Sequence, residues 1–108
     1  METERLLREL ASSSDLAPFE ELVRPLAERD RERRSDLVRT LRAYFASGAN
    51  VSGAADRLFL HRNSMLYRLE RIQMLTGLDL KDPGACLALQ LGLLALEKGE
   101  EPYEVEHP

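Results

Sequence analysis

The chain has 108 residues, 44% hydrophobic and 31% charged, with no tryptophan and a formal net charge of -4; this is the size and balance of one globular helical domain rather than of a disordered or fibrous chain. Its lone Cys86 has no partner for an intrachain disulfide and lies in an apolar run, as a small hydrophobe would, which points to a reducing cytoplasm. Charges interrupt every apolar pair near Met1, and no stretch approaches the ~18 to 20 apolar residues of a bilayer span, so neither secretion nor a membrane partner is expected.

The acidic total hides an uneven distribution. Residues 1–28 carry three basic and seven acidic side chains, and residues 97–108 one and five. Residues 29–42 carry six basic against three acidic, and residues 51–75 four against two, the four being arginine. A basic centre between acidic ends is what a charge-asymmetric binding face requires.

In chain order, Leu6, Leu7 and Leu10 mark a short first helix that stops at Ser12-Ser13-Ser14, whose hydroxyls compete for backbone partners. Ser14 or Asp15 is the expected cap of a second helix, with Pro18 in its first turn, Phe19, Leu22, Val23 and Leu26 at helical spacing, and a break or kink at Pro25. Leu37, Val38, Leu41, Tyr44 and Phe45 form the broad apolar face of a third helix over about Arg31 to Ala46, closed by Gly48. Asn50 or Ser52 caps a short helix bearing Ala54, Ala55 and Leu58. After the connector Phe59-Leu60, a longer helix buries Met65, Leu69 and Ile72 and ends at Gly77. Asp82-Pro83 opens a last helix to about Glu97, apolar nearly all round, and residues 98–108 read as a mobile acidic tail. No stretch alternates as a strand does, so the fold class is all-α, with five to six helices.

The pair between Asn50 and Thr76 carries the chemistry. Two helices joined by a tight turn, with small residues on the first and donors opening the second, meet the needs of major-groove insertion. An arginine fork grips guanine O6 and N7, and an asparagine amide suits adenine, which makes Arg62 and Asn63 the candidates for base readout. Ser52, Ser64 and Tyr67 supply hydroxyls, and Arg68 and Arg71 supply charge, for flanking phosphates. His61 stands at the helix start as a DNA contact or a cap. Arg29 to Arg34 reads mainly as a solvated face. An enzyme needs other parts: with two histidines, one cysteine, and neither a phosphate loop nor paired CxxC, no catalytic, metal or cofactor site is expected.

These stretches resemble a family, the helix-turn-helix domain at the C-terminal end of the PucR and CdaR group of bacterial transcriptional regulators. The resemblance lies in Leu37 to Phe45 (LVRTLRAYF), Asn50 to Leu58 (NVSGAADRL), His61 to Ile72 (HRNSMLYRLERI) and Thr76 to Pro83 (TGLDLKDP), preceded by Pro25 to Arg34. It covers roughly Leu6 to Leu96. The core is also similar to the three-helical core of the factor for inversion stimulation, with Arg62 and Ser64 at its DNA-facing positions. Ser64 replaces a more usual threonine, and Leu66 stands where a polar residue is more common. The resemblance implies sequence-specific binding of double-stranded DNA, and an upstream sensory domain in a longer regulator. On that reading residues 1–30 are a helical linker to the upstream domain, 31–97 the DNA-binding domain and 98–108 the tail. The apolar last helix wants a partner, so Leu87, Leu91 and Leu94 are the expected surface of a homodimer or a domain contact. The alternative is a helical protein-interaction module that binds no DNA.

Overall fold

The computed structural model describes the backbone of residues 1–106, and side chains as far as Glu97. Among the described residues, six α-helices and one 3-10 turn make up the fold: α1 (Glu2–Ala11), the turn (Ser14–Leu16), α2 (Ala17–Arg33), α3 (Leu37–Ala46), α4 (Val51–Arg57), α5 (Arg62–Thr76) and α6 (Pro83–Glu106). Among the described residues there is no strand. No helix there is long and apolar enough to cross a membrane.

The serine run stops α1 as expected, but the cap after it is Ser13, not Ser14 or Asp15. Ser13 Oγ accepts the Asp15 N–H at 3.1 Å and so opens the 3-10 turn that leads into α2. Pro25 does not break α2, which continues to Arg33. An interior proline costs about 3 kcal/mol. Val23 and Leu26, on either side of it, are fully buried, and burial of two such side chains, about 1.5–3 kcal/mol each, offsets that cost.

The third helix begins at Leu37, six residues later than its polar flank led one to expect, because Arg31 to Arg33 belong to α2. The chain turns at Arg34, whose φ is 54°. Asp30 determines where α3 starts: its carboxylate accepts the Ser35 hydroxyl at 2.6 Å and the N–H groups of Leu37 and Val38 at 2.8 and 3.0 Å. A side chain of the preceding helix thus satisfies the orphan donors of the new one, where the local N-cap Asp36 makes no side-chain cap bond. Asp82, by contrast, caps α6 as expected, its carboxylate accepting the Ala85 N–H at 2.9 Å ahead of Pro83.

The helical backbone of α6 runs to Glu106, through Gly99 and Pro102 and beyond the end expected at Glu97. The mobile tail expected over 98–108 falls on residues whose side chains lie outside the described ones. The apolar girdle of α6 is divided between neighbours, α1, α2 and α3 all packing on it. Leu89 and Leu93 enter the core, while Leu87 stays 59% exposed. Contact with α2 is close at Gly92, where an added methyl would collide with the Phe19 carbonyl oxygen and stand 3.2 Å from Val23 Cγ1. One core joins α2 to the rest: Val23 and Leu26 pack in the same cluster as Leu41, Met65, Ile72 and Leu89.

Candidate nucleic-acid interface

Asn50, rather than Ser52, caps α4, its side-chain oxygen accepting the Gly53 N–H at 2.7 Å. Ala54 and Ala55 are buried at 0 and 3% exposure. Having only methyl groups there lets α4 lie close to α3 and α5, so a helix of seven residues, too short to be stable alone, is held by packing. Its C-terminus is closed by two backbone bonds, Leu60 N–H to the Ala55 carbonyl at 2.9 Å and Phe59 N–H to the Asp56 carbonyl at 3.2 Å. That 6→1 and 5→2 pair is a Schellman motif with Phe59 at its left-handed position, φ 57°.

The second helix of the pair, α5, buries Met65, Leu69 and Ile72 and is closed by Gly77 at φ 73°, as its spacing predicts. Gln73 fixes the following loop by accepting the Leu80 N–H at 2.7 Å. With that stripe turned inward, the first turn faces solvent: His61, Arg62, Asn63 and Ser64 are all exposed. His61 is the N-cap and makes no side-chain cap bond. Ser52, in the first turn of α4, is also exposed. Tyr67 is 61% exposed. Asn63 and Tyr67 form a crest, since both line a groove of about 470 Å³ with Leu60, Ser64 and Arg68, and a second of about 520 Å³ on the side of Glu70 and Lys81.

Beyond the first turn the arginines are less free than their spacing alone indicates. Arg68 is half-buried and donates through Nη1 to Thr40 Oγ1 at 3.3 Å. Thr40 is itself fully buried and donates to the Asp36 carbonyl at 2.6 Å. Arg71, also half-buried, lays its guanidinium over the Tyr67 ring at 5.9 Å from the centroid, within reach of a cation–π attraction. The outer face of α5 is therefore mixed: hydrogen-bonding side chains in its first turn, then Leu66, Tyr67 and Met74 exposed further on.

Two further residues of this region escaped the sequence reading. Lys81 stands between Asp79 and Asp82, which masks its charge in any window count, yet those carboxylates accept backbone N–H groups of Lys81 at 2.8 Å and Ala85 at 2.9 Å. Thr40 sits in an apolar stripe, where only the fold reveals its contact with Arg68. Cys86 is held as a neutral thiol: burial first, then the nearby Asp82 and Asp79 carboxylates, push its pKa up, and its Sγ donates to the Leu80 carbonyl at 3.1 Å. Burial raises the Tyr44 phenol likewise. No set of three metal-ligating side chains stands together among the described residues.

A sequence profile of the PucR C-terminal helix-turn-helix domain matches residues 37–95, the span from α3 into α6. The purine catabolism regulatory protein of Bacillus subtilis is 39% identical over 85 residues, which is 72% of this chain and 16% of that protein. The proline-responsive transcriptional activator PutR of the same organism is 33% identical over 73 residues (68% of this chain, 18% of PutR). The carbohydrate diacid regulator of Escherichia coli is 46% identical over 61 residues (56% of this chain, 16% of that protein). The chain thus spans less than a fifth of the length of these relatives. No solved structure matches it. With the profile covering more than half of the chain, and the two helices and turn folded as it requires, the chain belongs to the PucR C-terminal helix-turn-helix family.

Proposed function

We propose that this chain is the sequence-specific DNA-binding domain of a cytoplasmic bacterial transcriptional regulator, and that the first turns of α5 enter the major groove. The observation that carries the reading is the solvent-facing turn His61-Arg62-Asn63-Ser64 at the start of a helix whose opposite stripe is buried. Arg62 and Asn63 read base edges; Ser52, His61, Ser64 and Tyr67 hydrogen-bond to the flanking strands. Arg68 and Arg71, tethered by Thr40 and Tyr67, add positive potential beside the groove rather than deep contacts. Residues 1–30 join the reader to an upstream sensory domain, a reading supported by the much greater length of the relatives.

The test is selection of bound duplexes from a random pool, followed by titration of the selected site over a range of salt. A DNA reader loses affinity steeply with salt, through counterion release. Arg62→Ala should weaken the selected site by ~1–3 kcal/mol. A chain that retains no duplex, or an Arg62 variant of unchanged affinity, would remove the basis of the assignment.

We propose in addition that two copies pair through α6. In support, Leu87 is 59% exposed and Leu91 and Leu94, four and seven residues on, continue its stripe half-buried. Two readers so paired would recognise a two-fold related site. A sedimentation experiment that finds only monomer at high micromolar concentration would rule this out.

A further inference from the structure

We infer that Phe59, at the turn leading into α5, is a DNA-backbone contact in its own right, packing its ring on the deoxyribose face of the strand that flanks the groove; this rests on the DNA-binding reading above. Nothing in the folded domain explains the residue. It is 93% exposed, so its ring gains no burial. Its φ of 57° lies in the left-handed region, where a side chain bearing Cβ is strained and glycine is not.

The same chain shows what this position takes when only the fold is served. At the end of α3 an identical pair of bonds, Ala49 N–H to the Tyr44 carbonyl at 2.9 Å and Gly48 N–H to the Phe45 carbonyl at 3.0 Å, closes a Schellman motif, and its left-handed residue is Gly48 with φ 67°. Arg34 and Ala49 also have positive φ, but a solvated arginine and a single methyl need no cover. Among the described residues, Phe59 alone joins backbone strain to a large unburied ring. Strain and exposure kept together, without return in the folded state, point to a function outside it.

The position selects the partner. Phe59 lies two residues before the exposed N-cap His61 and three before Arg62. Any duplex within reach of those side chains brings a sugar-phosphate strand to the turn. A neutral ring there adds apolar contact with sugars, which is indifferent to base sequence, and no counterion release.

The experiment compares the wild-type chain with Phe59→Gly and Phe59→Asn, both tolerant of positive φ, by thermal unfolding and by anisotropy titration of a duplex selected from a random pool at several salt concentrations. The expected result has opposite signs. Relief of the strain raises the melting temperature by roughly 4 °C, and loss of the ring lowers affinity about tenfold. The slope of affinity against salt stays unchanged, and the loss is equal on selected and unrelated duplexes. Stabilised variants with undiminished affinity would overturn the inference, as would loss of self-association in place of DNA binding, which would assign the ring to a second copy. If the wild-type chain itself retains no duplex, it is the parent reading that fails, and the two failures are told apart.

Discussion

The seam between α2 and α6 and the face presented by α4 and α5 obey opposite rules. At the seam, backbone meets backbone: Gly92 abuts the Phe19 carbonyl, and Val23, Leu26 and Leu89 are fully buried. The face has a buried floor of Ala54, Ala55, Met65 and Ile72, and above it Arg62, Asn63 and Ser64 face solvent. Where atoms already touch, any added volume costs stability; where side chains end in water, substitution leaves the fold alone and acts on whatever binds. Stability thus rests on the buried stripes of all these helices, and on the proposed reading recognition is left to the exposed side of α5.

The sharpest way to break this division is at Gly92. Gly92→Ala should destabilise by about 3 kcal/mol, measured by urea unfolding, and should abolish DNA binding only as the fold is lost. Asp30→Ala comes next, removing the cap of α3 and its bond to Ser35, with an expected loss of about 2 kcal/mol; an unchanged urea midpoint would show that water replaces the carboxylate. Arg62→Ala is the counterpart on the face. Its unfolding free energy in urea should match wild type to within about 0.5 kcal/mol even as affinity for the selected duplex falls.

Thr40→Val tests the bridge between the two regions. It leaves Arg68 without its acceptor and should cost about 1 kcal/mol of stability, together with a smaller loss of affinity that is uniform across sequences; an effect on stability alone would show that Arg68 does not serve the DNA-facing side. The smallest effect concerns Cys86, which contributes to neither region's chemistry. Its raised pKa keeps the thiol protonated at neutral pH, so alkylation by iodoacetamide should be slower than in the urea-unfolded chain and should accelerate only at clearly alkaline pH.

Much of the local geometry of the candidate site was legible because its signals are local. Met65, Leu69 and Ile72 at helical spacing placed one face of α5 inward, and that alone turned Asn63 and Tyr67 outward. Gly48 and Gly77 marked helix ends at which a positive φ is needed. The misreadings arose where a local rule met a distant partner. Pro25 breaks an isolated helix but not one with Val23 and Leu26 fully buried in the core. The arginine-rich stretch after Arg29 has no apolar period to show which helix owns it, and the deciding contact, from Asp30 to the Leu37 and Val38 amides, spans seven and eight residues.

By itself the sequence determined the helical class, the two-helix unit with its turn, and the chemistry of the turn that opens α5, because periodicity, caps and residue type act within a few positions of one another. The tertiary structure alone decided how the arginines divide, with Arg62 left in solvent, Arg68 drawn to Thr40 and Arg71 laid on Tyr67. It alone also showed that Gly92 is a contact point rather than a weak spot in a helix, and that Phe59 is both strained and bare. Those distinctions depend on which surfaces meet, and meeting is a property of the packed chain.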